Sequence, residues 1–160
     1  MKLLISIFLL LNLLRFRYVY YENTVKDNII NEYFFELEIP KINLHKEVYN
    51  IGNKENNVDK NIELLKPCIM PNNSNSIILL ASHNGNSKVS YFKNLHKLNL
   101  NDKVIIKYNQ KKYVYQIVNI YDINKTGKAI IKRHNYNNIL VLITCKGNNK
   151  QTVFISSLIS

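Results

Sequence analysis

The sequence predicts a mostly β protein, a closed β-barrel of about eight strands with one or two short helices. Short apolar runs recur along the chain with turn signals between them at about ten-residue spacing, which favours a barrel. The 160 residues are 46% hydrophobic, so one domain can bury a substantial core. Only four glycines and three prolines are present, which argues against low-complexity disorder.

The N-terminal segment has the character of a membrane anchor or a signal peptide. Lys2 precedes an apolar run from Leu3 to Leu14, which is shorter than the roughly 20 residues that span a bilayer. No small-residue cleavage site follows, and Arg15 begins a stretch of arginines and tyrosines that suits a membrane interface. A buried N-terminal helix is the alternative interpretation.

We therefore divide the chain into three parts. Residues 1–21 are expected to form the N-terminal anchor or signal-like segment, and the polar residues 22–33 to form a linker. Residues 34–160 are expected to form the β-barrel domain.

In the first half of the domain, two strands and one helix are predicted. Phe34 to Ile39 alternates in polarity and is ended by Pro40, and Ile42 to Val48 indicates a second strand. Asn56 to Lys66 is the best helix candidate, because its apolar residues fall on one face. The residues on that face are Val58, Ile62 and Leu65.

In the second half, strands dominate and one helical turn is expected. The predicted elements are the buried-type strand Ile77 to Ala81, a helical turn over Tyr91 to Leu95, a hairpin of Val104 to Tyr108 and Tyr113 to Ile123, a short strand Ala129 to Lys132, the strand Leu140 to Cys145, and a returning strand around Val153 to Ile155. We expect Phe92 and Leu95 to pack under the loop that follows His83.

Two chemically active side chains stand at the ends of apolar strands. Cys145 ends the strand that begins at Leu140, and His83 follows the strand that begins at Ile77. A thiol is nucleophilic as its thiolate, and a nearby imidazole can activate it and later protonate a leaving amine. A lone cysteine at a strand end is more often a core residue, so the interpretation depends on the two ends being neighbours.

Three stretches together resemble the sortases, cysteine transpeptidases of Gram-positive bacterial surfaces. They are Ala81-Ser82-His83-Asn84-Gly85, Tyr91-Phe92-Lys93-Asn94-Leu95 and Leu142-Ile143-Thr144-Cys145. The resemblance runs from about Phe34 to Ile159 and implies a sortase-like barrel. It also implies that Cys145 and His83 are catalytic and that Thr144 is the threonine preceding the family's cysteine.

The resemblance also implies a substrate and a cellular location. Sortases cut a C-terminal sorting signal of the LPxTG type between Thr and Gly, through a thioester on the cysteine. They then join the protein to an amine of the cell wall or of a pilus subunit. The implied location is the cell membrane, with an N-terminal anchor and an extracellular catalytic domain. No cofactor and no metal are implied.

The sequence departs from the family at its arginine. The family carries an arginine at the start of the strand after the cysteine loop, where this chain has Gln151 with Lys150 beside it. Gln151 can donate a neutral hydrogen bond to an oxyanion or orient a substrate, but it lacks the charge and the fork of guanidinium. Arg133 is the arginine inside the domain. It lies in the loop before the Cys145 strand and could reach the site from another direction to orient the oxyanion or the substrate.

Charge and cysteine content bound the other interpretations. The formal net charge is +11, but lysines are spread along the chain without an arginine-rich block, so we expect no nucleic-acid partner. Cys68 and Cys145 could form a disulfide in an exported protein, although this would inactivate the proposed nucleophile, so we favour free thiols. No Cys/His spacing indicates a zinc site and no acidic cluster indicates calcium.

Three alternatives to a transpeptidase remain open from the sequence. The first is a thiol peptidase that mainly hydrolyses its substrate. The second is a catalytically impaired, peptide-binding barrel, for which Gln151 is the main support. The third is a basic barrel that binds nucleic acid, which would bind with a steep salt dependence.

Overall fold

The computed structural model describes Arg15, residues 33–133 and residues 135–160. Except for Arg15, the predicted anchor over residues 1–21 lies outside the described residues, as does the predicted linker except for Tyr33. Within the described part, no helix is long and apolar enough to cross a membrane.

Eight strands and two short 3-10 helices make up the described domain. The strands are β1 (Phe35–Ile39), β2 (Leu44–Val48), β3 (Glu63–Ile69), β4 (Ile77–Ala81), β5 (Lys103–Tyr108), β6 (Lys111–Asn124), β7 (Ile139–Lys146) and β8 (Lys150–Leu158). The 3-10 helices are Pro40–Ile42 and Leu95–Lys97. The predicted fold class, mostly β with about eight strands and one or two short helices, is confirmed.

The strands form one sheet in the order β2-β1-β5-β6-β8-β7-β4-β3. Every neighbouring pair is antiparallel except β4 and β7, which run parallel. The sheet order leaves β2 and β3 at its two edges, so the predicted closure of the barrel is not made by a hydrogen-bonded ladder. Instead, side chains from all eight strands meet in one core cluster, which includes Val48 of β2 and Leu64 of β3. The sheet therefore curls around that core.

The outer face of the sheet also buries apolar side chains along β4, β7 and β8. Leu140 and Leu142 of β7 belong to the inner core, whereas Val141 and Ile143 belong to a second cluster on the outer face. Because side chains alternate along a strand, burial on both faces requires the continuous apolar run that β7 shows. β7 is therefore a central strand, covered on both sides.

The predicted helix over Asn56 to Lys66 is wrong. Residues 57–61 form turns and bends, and β3 begins at Glu63. The Asn56 side chain accepts from the Leu64 backbone N–H at 2.7 Å and donates to the Leu64 carbonyl at 3.1 Å. Asparagine side chains that bond the backbone in this way compete with helix formation. The pairing of β3 with β4 holds the residues from Glu63 onward in a strand.

The predicted strand over Ala129 to Lys132 is also wrong. This segment has no regular structure, because its backbone bonds a side chain instead of a neighbouring strand. The Tyr121 hydroxyl donates to the Ile130 carbonyl at 2.8 Å and accepts from the Lys132 N–H at 2.9 Å. Tyr121 thereby holds the segment against the outer face of the sheet, where Ile131 packs on the second cluster.

The turn predicted over Tyr91 to Leu95 packs as expected. The residues form turns that lead into the 3-10 helix Leu95–Lys97, and Phe92 and Leu95 are fully buried. The Phe92 N–H donates to the His83 carbonyl at 3.1 Å, so this buried turn supports the loop after β4 from below.

Candidate functional site

The parallel pairing of β4 with β7 brings the two chemically active strand ends together. Ala81 lies opposite Ile143, and the Ser82 N–H continues the pairing by donating to the Ile143 carbonyl at 3.3 Å. His83 and Cys145 each follow two residues later on their own strand. Because side chains alternate, both are expected to emerge on the outer face, like Ala81 and Ile143. The two predicted residues thus end neighbouring strands.

The thiol of Cys145 is free and half-buried. Cys68 is free as well, so the alternative of a disulfide between the two is not formed. Cys68 lies in β3 with its Sγ 3.8 Å from the Met70 Sδ, and burial raises the pKa of its thiol. A raised pKa suits an inert structural cysteine and leaves Cys145 as the candidate nucleophile.

The imidazole of His83 contacts a carboxylate that the sequence did not single out. Its Nε2 lies 3.0 Å from the Asp59 Oδ1, with side-chain exposures of 40% for His83 and 80% for Asp59. No described hydrogen bond joins the ring to the Cys145 Sγ. With Nε2 occupied by Asp59, Nδ1 is the ring nitrogen that remains available to another partner.

Asn84 fastens the histidine loop to the cysteine strand. Its side-chain amide donates to the Cys145 carbonyl across 61 positions of sequence. Asn84 belongs to the motif around His83, but the sequence alone assigned it no role. Its position directly after the histidine is the one feature of the sequence that indicates a role near the site.

Thr144 makes a second connection between the two strand ends, on the opposite face. Its side chain is buried, and its hydroxyl donates to the Ser82 carbonyl at 2.9 Å. Together with the Asn84 bond, this contact holds the ends of β4 and β7 in register. The Thr144 hydroxyl is occupied by that carbonyl, so its described contact is a structural one.

Gln151 lies directly opposite Cys145 in the hairpin of β7 and β8. Directly opposed residues of an antiparallel pair have Cβ atoms about 4.5–5.5 Å apart on one face of the sheet. Gln151 is half-buried, and its amide can therefore reach a group bound at the thiol. Lys150 precedes it on β8, is exposed, and by alternation points to the other face.

Arg133 is engaged within its own loop. Its Nε donates to the Tyr136 carbonyl at 2.9 Å, and its guanidinium also donates to the Asn137 carbonyl. Its described contacts therefore include neither Cys145 nor His83.

An apolar groove of about 530 Å³ runs along the outer face of the sheet from this site. Its floor is the outer face of β4 and β7, and one wall is the irregular segment that Tyr121 anchors. The lining residues are Leu65, Lys66, Pro67, Ile77, Leu79, Ala81, Lys125, Gly127, Ala129, Ile131, Ile143 and Gln151. A mostly apolar groove whose lining includes Gln151, the residue opposite Cys145, is suited to hold the apolar side chains of a peptide.

On the inner side of the same strand ends lies a smaller, more polar cleft of about 340 Å³. Asp122 of β6 lines it and bonds the Lys146 ammonium at 2.6 Å and the Thr152 hydroxyl at 2.8 Å. The hydrogen bond from Lys146, followed by that from Thr152, lowers the pKa of Asp122. This trio joins β6, β7 and β8 just below Cys145.

One group of side chains has the composition of a metal site but is already neutralised. Glu36, Glu38 and His45 bring candidate ligand atoms within 4.8 Å of one another on β1 and β2. Lys107 of β5 forms ion pairs with both glutamates, and the hydrogen bond from His45 is the largest cause of the lowered pKa of Glu36. The cluster is explained by these contacts without an ion.

A curled, eight-stranded sheet that presents a cysteine and a histidine at adjacent strand ends has the groups needed for acyl transfer through a thiol. The chain belongs to the sortase family, because the family model for the sortase domain matches residues 37–158. Membership in this family, together with the fold, supports a cysteine transpeptidase in general terms.

Solved sortase structures share the fold at low sequence identity. Sortase C1 of pilus island 1 from group B Streptococcus is 22% identical, with a TM-score of 0.66 over 81% of this chain and 65% of that one. Sortase C from Streptococcus pneumoniae is 21% identical, with a TM-score of 0.68 over 81% and 70%. A lid mutant of sortase A from Corynebacterium diphtheriae is 16% identical, with a TM-score of 0.67 over 81% and 71%.

The chain thus spans just under two thirds of the group B Streptococcus protein. No curated protein gave a significant match to the sequence.

Proposed function

We propose that the protein is a transpeptidase that cleaves a C-terminal sorting signal of the LPxTG type and transfers the cleaved protein to an amine. The acceptor is an amine of the cell wall or of a pilus subunit. The observation that carries the proposal is the parallel pairing of β4 with β7, which ends in His83 on one strand and Cys145 on the other. Family membership and the groove beside Gln151 support it.

In the proposed reaction, the Cys145 thiol gives its proton to His83, and the sulfur attacks the carbonyl carbon of the signal's threonine. The tetrahedral intermediate collapses when His83 donates a proton to the glycine amine, which leaves as the C–N bond breaks. The threonine remains as a thioester on Cys145. The incoming amine attacks that thioester, its proton passes to His83, and the sulfur departs as the thiolate.

Gln151 is proposed to act on the oxyanion of each tetrahedral intermediate. Its position opposite Cys145 lets the amide N–H donate to an oxygen on the attacked carbon. A neutral amide gives one weaker bond where the family's arginine gives a charged fork, so a slow reaction is expected. The leucine and proline of the signal are proposed to occupy the apolar groove floor around Leu79 and Ile143.

Membrane attachment through residues 1–21 remains part of the proposal, with the domain outside the membrane and the sorting signal presented there. The apolar run of that segment supports it. A pilus subunit as acceptor is supported by the similar sortase that is named for a pilus island.

The test uses the full chain in detergent, mixed with a Leu-Pro-x-Thr-Gly peptide with and without triglycine. Mass spectrometry of protein and peptide follows the reaction. An acyl adduct on the protein and a glycine-exchanged peptide are expected, and Cys145→Ala should abolish both. Cys68→Ala is the matched control, because this free cysteine lies in β3 and should leave both products unchanged. No adduct from folded protein with a free Cys145 thiol would contradict the proposal.

The second candidate is a peptide-binding barrel with little catalytic power, which Gln151 in place of arginine favours. It predicts saturable binding of the peptide without an acyl adduct. A third outcome of the same experiment, cleaved peptide without exchanged glycine, would identify a hydrolysing thiol peptidase.

A further inference from the structure

The apolar groove carries charge of only one sign. Lys66 and Lys125 are the charged residues that line it, and no carboxylate lies among the lining residues. Within the described part of the chain, neither ammonium has a carboxylate at ion-pair distance, whereas Lys41, Lys107 and Lys146 each do. Two exposed lysines without carboxylate partners line the apolar groove. They can form ion pairs with acidic groups of a ligand bound in the groove.

Lys125 lies at the end of the groove close to Cys145. Its backbone N–H donates to the Asn149 carbonyl in the β7–β8 turn, at 2.9 Å. Two residues earlier, Ile123 pairs with Gln151, which in turn pairs with Cys145. Ile123, Gln151 and Cys145 therefore lie side by side across β6, β8 and β7, and Lys125 comes two residues after Ile123.

Lys66 lies toward the other end. It follows Leu65, which pairs with Leu79, and Leu79 pairs with Val141 of β7. Val141 precedes Cys145 by four residues, which is about 13 Å along a strand at roughly 3.3 Å per residue. An extended peptide held with its threonine at Cys145 covers that distance in about four residues.

We propose that the groove selects sorting signals with acidic residues at two positions: the variable residue of Leu-Pro-x-Thr-Gly, contacted by Lys125, and the residue preceding the leucine, contacted by Lys66. The inference rests on the proposed function for the direction and register of the peptide. Counting back from the threonine, the variable residue comes first and the residue before leucine comes fourth.

Both lysines are exposed, so each pair is screened by solvent and its effect is moderate. We expect about a three- to tenfold tighter dissociation constant for glutamate than for glutamine at each position, at low salt. The preference should weaken as the ionic strength rises.

The test measures binding of fluorescent peptides to the full-length Cys145→Ala protein by anisotropy, so that it does not depend on turnover. Four peptides carry Glu or Gln at the variable position and at the position before leucine. Lys125→Gln is expected to remove the preference at the first position only, and Lys66→Gln at the second only. Lys111→Gln, at the start of β6, is the matched control and should change neither.

Equal affinity for all four peptides would overturn the inference, as would a preference that both lysine variants leave intact, or no binding at all. Turnover of the same peptides by the unsubstituted chain reports on the proposed function separately. Turnover at equal rates, with equal affinities, would keep the transpeptidase and reject the acidic preference. Charge-dependent binding without an adduct would keep the preference and favour the peptide-binding barrel.

Discussion

At the residue scale, the pairing of Cys145 with Gln151 defines the chemistry that the site can offer. The two residues are directly opposed on β7 and β8. In the proposed reaction, one side chain supplies the nucleophile and the other a neutral hydrogen-bond donor. From the sequence, the resemblance to the sortases placed Gln151 at the position of the family's arginine, and the pairing with Cys145 comes from the structure. The sequence could not show which face of the sheet is open, because that depends on how the 125–133 segment packs.

Gln151→Arg should raise kcat for signal cleavage by about tenfold or more, because a guanidinium adds charge and a second donor to the oxyanion. The rate of acyl-adduct formation, followed by mass spectrometry under single-turnover conditions, measures it. Lys150→Arg is the control, since its neighbouring side chain points to the other face. A rate that stays equal or falls in Gln151→Arg would show that this position does not act on the oxyanion.

Asp59→Asn should lower the rate of adduct formation by about two- to fivefold. The loss is small because the pair is exposed, and exposed ion pairs contribute about 1 kcal/mol or less. The direction follows from the contact at Nε2, which fixes the ring and leaves Nδ1 available to the thiol in the proposed reaction. Alkylation of Cys145 by iodoacetamide gives a second measurement.

Asp102→Asn is the control. It breaks the Lys41–Asp102 ion pair, which does not involve His83 or Cys145, and should leave the adduct rate unchanged. If Asp59→Asn instead accelerates adduct formation, the carboxylate withholds the imidazole from the thiol in the resting protein.

The sequence singled out Cys145 and His83 because each follows an apolar strand and because the motifs around them resemble those of the sortases. It missed Asp59 and Asn84 because their contacts are tertiary: Asp59 meets His83 across 24 positions, and Asn84 meets Cys145 across 61. No local signal marks such partners. Their surroundings, rich in Asn and Asp, indicate turns in general and not a particular contact.

At the element scale, the segment before β3 shows how local periodicity misleads. Val58, Ile62 and Leu65 have helical spacing, yet Ile62 is buried in the core and Leu65 packs on the outer face of the sheet. Pairing with β4 and the Asn56 side chain determine the structure. The strands β4, β5, β6 and β7 were predicted correctly because their apolar runs are long and are bounded by turn residues.

The turn beneath the histidine loop should be a stability element. Leu95→Ala removes a fully buried side chain from the core and should cost about 2–5 kcal/mol of unfolding free energy. Denaturant unfolding at pH 7 measures it, and Leu100→Ala is the control, because Leu100 is 54% exposed. A cost below about 1 kcal/mol would show that the turn is not part of the cooperative core.

The trio of Asp122, Lys146 and Thr152 predicts a pH-dependent contribution to stability. The pKa of Asp122 is lowered in the folded protein, so its contribution is present above the ordinary carboxyl pKa of about 4 and is lost as the pH falls through the lowered value. Asp122→Asn should therefore cost up to about 1 kcal/mol of unfolding free energy at pH 7, since the group is partly exposed, and less at pH 2.

Unfolding free energies at the two pH values, measured in denaturant, test this difference. If Asp122→Asn lowers the unfolding free energy equally at both pH values, the contribution of Asp122 comes from its shape and hydrogen bonds and not from its charge.

At the scale of the whole molecule, the alternating strands and their turns predicted a curled β fold, but not its one parallel pairing. That pairing joins β4 to β7 across more than fifty residues of sequence, so no short turn with recognisable turn residues predicts it. It is also the pairing that assembles the site, so the fold class was predictable while the assembly of the site was not. The sequence predicted a closed barrel without saying how it closes; in the structure β2 and β3 are the sheet edges, and all eight strands pack on one core.

The distribution of the core predicts how the chain tolerates truncation. Every residue of the two described core clusters lies between Phe34 and Leu158, and residues 33–160 form one compact unit. A chain of residues 33–160 should therefore unfold cooperatively in denaturant with a free energy within about 1 kcal/mol of the full chain. If residues 1–21 anchor the protein, the shortened chain should also lose cosedimentation with lipid vesicles.

Leu95→Ala introduced in both backgrounds is the control, and it should destabilise the two chains equally. A shortened chain that loses several kcal/mol would show that residues before Tyr33 complete the core. Unchanged cosedimentation at high salt would place the membrane contact on the domain itself and reject the proposed anchor, whereas binding that high salt removes would identify the net charge of +11 as its cause.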